Sequence, residues 1–431
     1  MNITALKNTI LSGGIDSALT EGLSVPAESV PAQRDRYASA ADAFLAKYGD
    51  GDVSLYSVGG RSEISGNHTD HNHGRVIAAS VNLDILAVAK PVPGGVIRIQ
   101  SEGFPEDVVE PSAVDAPDKS KFFTSAALIA GMEKAFLAAG YEVGGFDAYT
   151  TSNVLKGSGI SSSAAFEVMV GNILNHLYNG GKVSNVEIAK MAQFSENVYF
   201  GKPCGLMDQT ACAVGGFISI DFRDPKDPVI EKYDFDLGRE GCELCIVNTG
   251  GNHADLNEDY ASVPADMKKV AAELGVPVLR ETTKEALLRH LTEDKSARER
   301  LGDRAILRAF HFFEENVRVE AQKTALKNGD FEAFKKGVTE SGNSSFKFLQ
   351  NVYTVKNVRE QGLSLALCLT EEFLRGTGGV SRVHGGGFAG TIQAFVPREL
   401  TGKYAELVNS VFGEGSCFIL NVRPAGACRL V

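Results

Sequence analysis

The sequence predicts an α+β protein organised as two domains. Three observations predict it. The chain has 431 residues, more than one small core accommodates. Helix-period and strand-period segments are interspersed without the strict βαβ alternation of a doubly wound parallel sheet. The run Arg223-Asp224-Pro225-Lys226-Asp227-Pro228 reads as a connector, with a change of character near residues 225–235.

Taken in order, residues 33–48 carry Tyr37, Ala41, Phe44 and Leu45 on one helical stripe. Alternating runs at 54–58, 77–89 and 96–100 read as strands, the last two joined by a hairpin turn at 91–95. Residues 122–140 read as a helix and 147–154 as a strand entering a Gly/Ser cluster. Helices follow at 162–178 and 186–197, the second opened by the capping box Ser184-Asn185-Val186-Glu187. Beyond the connector lie a strand at 244–248, a charged helical stretch over about 266–357, and strands at 390–396 and 418–422. No short-period repeat or low-complexity tract interrupts this order.

Composition narrows the function classes. A hydrophobic share of 43% and a charged share of 23% suit a globular chain and argue against extended disorder. Acidic residues outnumber basic ones 54 to 43, a net charge of −11, which disfavours nucleic acid and anionic lipid as partners. An anionic substrate would need a local positive device. The first residues lack the basic start and apolar core of a signal peptide, and the longest apolar stretch, 76–89, is broken by Ser80, Asn82 and Asp84. Seven cysteines are scattered. Cys242 and Cys245 have CxxC spacing but no second pair to complete a zinc site, so they read as strand residues in a reducing, cytoplasmic setting.

Three segments carry chemistry. Lys156-Gly157-Ser158-Gly159-Ile160-Ser161-Ser162-Ser163 joins a strand to an apolar helix. Its glycines let successive N–H groups face one anion, its serines add donors, and the helix presents a positive N-terminus. This is the local positive device; it lacks the Gly-Lys-Ser/Thr of a Walker A loop, and a Gly/Ser linker before a capped helix has the same composition. The run from Gly59 to Gly74 is dense in polar groups: Arg61, Glu63, Asn67, His68, Asp70, His71 and His73. A solvated loop, a metal site with His253 as a further ligand, and a polyol pocket all fit it. Last, Asp208 lies in a turn bounded by apolar residues, twelve positions after Glu196 at a helix end. Two carboxylates suit phosphoryl transfer, one for Mg²⁺ and one for the hydroxyl proton.

Together these segments resemble the GHMP kinases and, within them, the galactokinases. Arg61 to Gly74 is similar to the signature G-R-x-N-x-I-G-E-H-T-D-Y-N, Gly157 to Ala165 to G-x-G-L-S-S-S-A, Cys204 to Gln209 to C-G-I-M-D-Q, and Val383 to Gly390 to T-G-G-G-F-G-G. The resemblance implies two domains meeting at an active-site cleft, with a short extension at 1–28, an N-terminal domain at 29–225 and a ferredoxin-like C-terminal domain at 226–431. It implies ATP with Mg²⁺ and transfer of the γ-phosphoryl group to the anomeric hydroxyl of galactose. It makes Asp208 the catalytic carboxylate with Arg61 beside it, and Arg61, Asn67, His68, Asp70, Gly205, Asp208 and Tyr260 the sugar site. Gly157, Ser158, Gly159, Ser161, Ser162 and Ser163 would wrap the triphosphate, and Ser163 and Glu196 would hold Mg²⁺. The chain departs from the pattern at three places: Asn67 stands where Glu is usual, Glu63 where Asn is usual, and His71 where Tyr is usual. That leaves a 1-kinase for a galactose derivative or other sugar, or a non-catalytic galactose/ATP sensor, as alternatives.

Overall fold

The computed structural model describes residues 1–111, 115–154, 160–251 and 256–431. The chain begins with α1 (Ile3–Leu11) and α2 (Val30–Tyr48), then β1 (Ser54–Ser65), β2 (Arg75–Pro91), β3 (Ile97–Ser101) and β4 (Asp107–Val109). Next come α3 (Ser125–Ala138), β5 (Phe146–Ser152), α4 (Ser162–Tyr178), α5 (Asn185–Phe194), α6 (Met207–Val214), β6 (Phe217–Asp221) and β7 (Val229–Tyr233). After β8 (Cys242–Asn248) a helical run holds α7 (Asn257–Glu273), α8 (Lys284–Glu293), α9 (Ala297–Leu301), α10 (Asp303–Asn328) and α11 (Phe331–Ser344). The last elements are α12 (Gly362–Leu374), β9 (Val380–Val383), β10 (Thr391–Pro397), α13 (Thr401–Phe412), β11 (Cys417–Leu420) and β12 (Cys428–Arg429).

The described residues form two sheets, as the α+β reading expects. The larger has eight strands along the path β12-β1-β2-β5-β3-β4, with β6 on the far half of the long β2 and β7 on β6. The smaller is antiparallel, β11-β8-β10-β9. Both β7, beyond the connector, and the terminal β12 are hydrogen bonded into the larger sheet. One core runs from sheet to sheet: Phe334 of α11 packs edge-on against Phe217 of β6 and Phe395 of β10, ring centres 5.9 and 5.7 Å away. Residues ahead of α2 are not a loose tail. Leu6 and Ile10 of α1 are fully buried against α2 and the outer face of β1 and β2, each such side chain worth about 1.5–3 kcal/mol.

Periodicity placed most long elements within a few residues, and the capping box is formed reciprocally between Ser184 and Glu187. The hairpin at 91–95 is a correction. A turn is present, but β2 and β3 are not partners, because β5 lies between them, antiparallel to β2 and parallel to β3. A second difference bears on the site. β1 does not stop at residue 58; it continues through the polar run to Ser65, buried along nearly its whole length. Polar residues are stable there because the helical run and the smaller sheet supply partners.

Candidate active site

Two register shifts break the pairing of β1 with β2, one between Gly59 and Arg61 and one between Glu63 and Ser65. Such bulges turn a strand and re-aim its side chains. The first places Arg61 against α4 and α6. Its backbone N–H donates to the Ile160 carbonyl (3.0 Å), and a Cβ at Gly60 would lie 2.5 Å from the Ile160 side chain, so glycine permits the approach.

Asp208 stands in the first turn of α6, where the helix dipole favours negative charge. Arg61 grips it with a planar fork, Nε to Oδ1 at 2.7 Å and Nη2 to Oδ2 at 2.6 Å, and the Ser161 hydroxyl also donates to Oδ2. Burial opposes ionisation, but the Arg61 charge and these hydrogen bonds outweigh it and hold the carboxyl below its ordinary range. About a third of the side chain stays open (31%), enough for a substrate to reach a fixed, ionised carboxylate.

The next residue along the same turn, Gln209, gathers two further acids. Gln209 donates from Nε2 to Glu196 Oε2 (2.7 Å) and to Glu167 Oε2 (3.3 Å). The other oxygen of Glu196 accepts from Ser163 Oγ (3.3 Å) and from the Lys202 ammonium (2.9 Å). Glu196 is 2% exposed, so its charge is unscreened by water. Burial, then the charge of Glu196, pushes the Glu167 carboxyl up to about 9, and its Oε1 has no hydrogen-bond partner among the described residues. A hydroxyl and a carboxylate as hard oxygen donors, with a cationic group already resting on the shared oxygen, fit a divalent cation such as Mg²⁺.

Of the residues expected to hold sugar, Asp70 and Gly205 meet: a Cβ at Gly205 would lie 2.5 Å from Asp70 Oδ2. His68 has left-handed backbone (φ 56°) and donates from Nε2 to the Gly386 carbonyl (2.9 Å). Tyr260 donates to the Gly387 carbonyl (2.9 Å). Burial keeps the imidazole below its usual pKa, so it is neutral at pH 7. Asn67 is engaged by the protein itself. It is 1% exposed, both its amide hydrogens are engaged by Glu63 and the Gly385 carbonyl, and its oxygen accepts from Asn351 and Ser345. No atom of that amide is left for a substrate in this arrangement.

Gly157, Ser158 and Gly159 of the expected phosphate loop, and His253, lie outside the described residues. Ser161 directs its hydroxyl to Asp208 rather than capping α4, so the first amides of that helix carry no side-chain cap. Among the described residues, the atoms of His68, Asp70, His71 and His73 do not converge as a metal site. The one such grouping among the described residues is Glu273, His290 and Asp294, where Arg300 pairs with both acids. Sequence reasoning missed Glu167, Lys202 and Gln209. Gln209 closes the quoted motif and Lys202 lies two residues before it; Glu167 carries no local signal.

One prediction arises here. Gly205→Ala should push the Asp70 carboxylate aside. Because that group is a movable side-chain end, melting temperature should hold within about 2 °C, while KM for the sugar rises on the order of tenfold. Steady-state kinetics and a thermal melt check it; an unchanged sugar KM removes Asp70 from the pocket.

A family model for the GHMP kinases N-terminal domain matches residues 125–216, the span of α4, Glu196 and Asp208. Fold and site together make this a kinase of the GHMP class. A model of the galactokinase galactose-binding signature matches residues 42–91, and a galactokinase of Streptomyces coelicolor is 32% identical over 398 residues, 90% of this chain and 97% of that protein. The chain belongs to the galactokinase family. A galactokinase of Thermotoga petrophila is 30% identical over 350 residues, 80% of this chain and 90% of that one. Among solved structures, Lactococcus lactis galactokinase complexed with galactose shares the fold at a TM-score of 0.73, with 24% identity over 90% of this chain and 98% of that one. No helix among the described residues is long and apolar enough to cross a membrane.

Proposed function

We propose that this protein is an ATP-dependent galactokinase, transferring the γ-phosphoryl group of ATP to the anomeric hydroxyl of galactose to give galactose 1-phosphate and ADP. The observation that carries the reading is the ionised, partly open Asp208, fixed by Arg61 and Ser161 at the N-terminus of α4. Phosphoryl transfer has a loose transition state, so catalysis rests on positioning and charge. The anomeric oxygen forms its bond to the γ-phosphorus as the bond to the ADP oxygen breaks. The hydroxyl proton passes to a carboxylate oxygen of Asp208, and Arg61 stabilises the charge that gathers beside it. The loop containing Gly157, Ser158 and Gly159, with Ser161, Ser162, Ser163 and the open amides of α4, would face the triphosphate. Ser163 and Glu196 would hold Mg²⁺, which when bound neutralises phosphate oxygens. Asp70, Gly205, His68 and Tyr260 would line the sugar side, and Arg61 would serve sugar and phosphoryl group alike.

The division at 1–28, 29–225 and 226–431 belongs to the same proposal, with β7 and β12 crossing it. A cytoplasmic setting is supported by seven cysteines that stand as free thiols. Purified protein with ATP, MgCl₂ and a panel of hexoses tests the function. Galactose-dependent ADP release and a 1-phosphate product by phosphorus NMR are expected. Preference for a C2- or C6-altered galactose would move the substrate, and binding of both ligands without ADP would make the protein a sensor. Glu196→Gln should raise the Mg²⁺ concentration needed for half-maximal rate about tenfold or more; direct Mn²⁺ binding by electron paramagnetic resonance should weaken in parallel.

A further inference from the structure

The usual family pattern has Asn at position 63 and Glu at position 67; this chain has them reversed. In the fold the two side chains touch. Asn67 Nδ2 donates to Glu63 Oε1 at 2.8 Å and to the Gly385 carbonyl at 2.7 Å. Its oxygen accepts from Asn351 Nδ2 at 2.7 Å and from Ser345 Oγ at 3.3 Å. The Asn67 carbonyl accepts from His311 Nε2 at 2.9 Å, which fixes that nitrogen as the protonated one and leaves Nδ1 to accept from Ser344 (2.9 Å). One buried amide therefore ties β1, the glycine turn at 385–387 and the helical run together. The groups it holds adjoin the sugar side, since His68 follows it directly and His68 and Tyr260 bind the carbonyls of Gly386 and Gly387. Gly387, at φ 78°, is packed so closely on the Asn351 carbonyl that a Cβ there would overlap it.

The exchange thus keeps one amide–carboxylate hydrogen bond and reverses its direction. A glutamate at position 67 alone would set two buried carboxylates against each other and a carboxylate against the Gly385 carbonyl. An asparagine at position 63 alone would shorten the acceptor by one methylene and remove the carboxylate from Arg382, 3.9 Å away.

We propose that positions 63 and 67 form one coupled unit that places His68 and the glycine turn, so that Asn67 is a positioning residue for the sugar pocket. This rests on the galactokinase reading for its kinetic consequence, not for the coupling itself.

The test is a double-mutant cycle of wild type, Asn67→Glu, Glu63→Asn and the double exchange, read by melting temperature and by KM for galactose and for ATP. Asn67→Glu should lower the melting temperature and raise the galactose KM about tenfold or more, with ATP KM within about twofold. The double exchange should recover more than half of both losses, not all, because the Gly385 carbonyl still lacks its donor. Glu63→Gln, which keeps an oxygen facing Asn67 at full length but takes the charge from Arg382, should lose less melting temperature than Glu63→Asn. If Asn67→Glu does not fold, Asn67→Asp compared with Glu63→Gln/Asn67→Asp reads the same coupling more gently. Additive losses in the double exchange would overturn the coupling. Coupled melting temperatures with galactose and ATP KM moving equally would overturn the positioning role. A wild type inactive on galactose would refute the functional reading alone, since the melting cycle needs no turnover.

Discussion

Asp208→Asn is expected to lower kcat on the order of 10²–10⁴-fold while nucleotide affinity stays within about twofold of wild type. The substitution keeps size and keeps one oxygen to accept from the Arg61 fork, which in the native protein holds both carboxylate oxygens at 2.6–2.7 Å. What it removes is the negative charge and the site that takes the hydroxyl proton. It also confronts the Arg61 guanidinium with an NH₂ group, donor against donor, so some loss of stability accompanies the loss of turnover. Those two effects separate experimentally. A melting shift reports the Arg61 mismatch, whereas fluorescent ATP-analogue binding reports the nucleotide side, where the Ser161 hydroxyl contacts Asp208. Full turnover in Asp208→Asn would remove the carboxylate from the chemistry and leave Arg61 and the α4 terminus as the working parts.

How much of this was legible in the sequence follows from how far each signal reaches along the chain. Helices α2 and α4 show their 3.6-residue stripes locally, and the Ser184–Glu187 box marks its own helix start. The partnership of β2 with β5 rather than β3 is not local. It depends on which strand fills the gap once helices have packed, and a turn at 91–95 looks the same either way. The site divides along the same line. Arg61, Asp208 and Glu196 could be named because their motifs sit in short runs of residues. The direction of Asn67 could not, since it is decided by Asn351, Ser345 and His311, 244–284 residues away. A side chain that can accept a hydrogen bond reads as a ligand until the fold shows which protein groups already occupy it. Glu167 is the converse case. Nothing in an apolar helix run announces that one carboxyl will be buried beside Glu196, and only the packed structure shows Gln209 joining the two.

Arg61→Met is expected to lower kcat at least as far as the charge it removes from the reacting group demands, on the order of 10²-fold or more, and to give the rate a steep acid limb. The sign follows from what holds Asp208 ionised. Burial raises its carboxyl pKa; the Arg61 charge, the Arg61 hydrogen bonds and the Ser161 hydroxyl lower it, and in the native protein the lowering side prevails. Native Asp208 therefore stays ionised above its ordinary pKa, and it contributes no loss of rate between about pH 8 and pH 5. With methionine at 61 the largest lowering influence is gone, burial dominates, and the pKa moves up. The ionised form is the one that takes the proton, so rate must now fall as pH falls through the raised value, and the ratio of variant to native kcat should be smaller near pH 5.5 than near pH 8. Arg61→Lys separates charge from geometry: an ammonium restores part of the charge but not the two-point fork, so it should flatten the acid limb more than it restores kcat. Rate–pH profiles of the three proteins at saturating ATP and galactose decide it. Parallel profiles, with equal ratios at both ends of the range, would mean that the guanidinium acts on the phosphoryl group directly and not by holding the Asp208 charge.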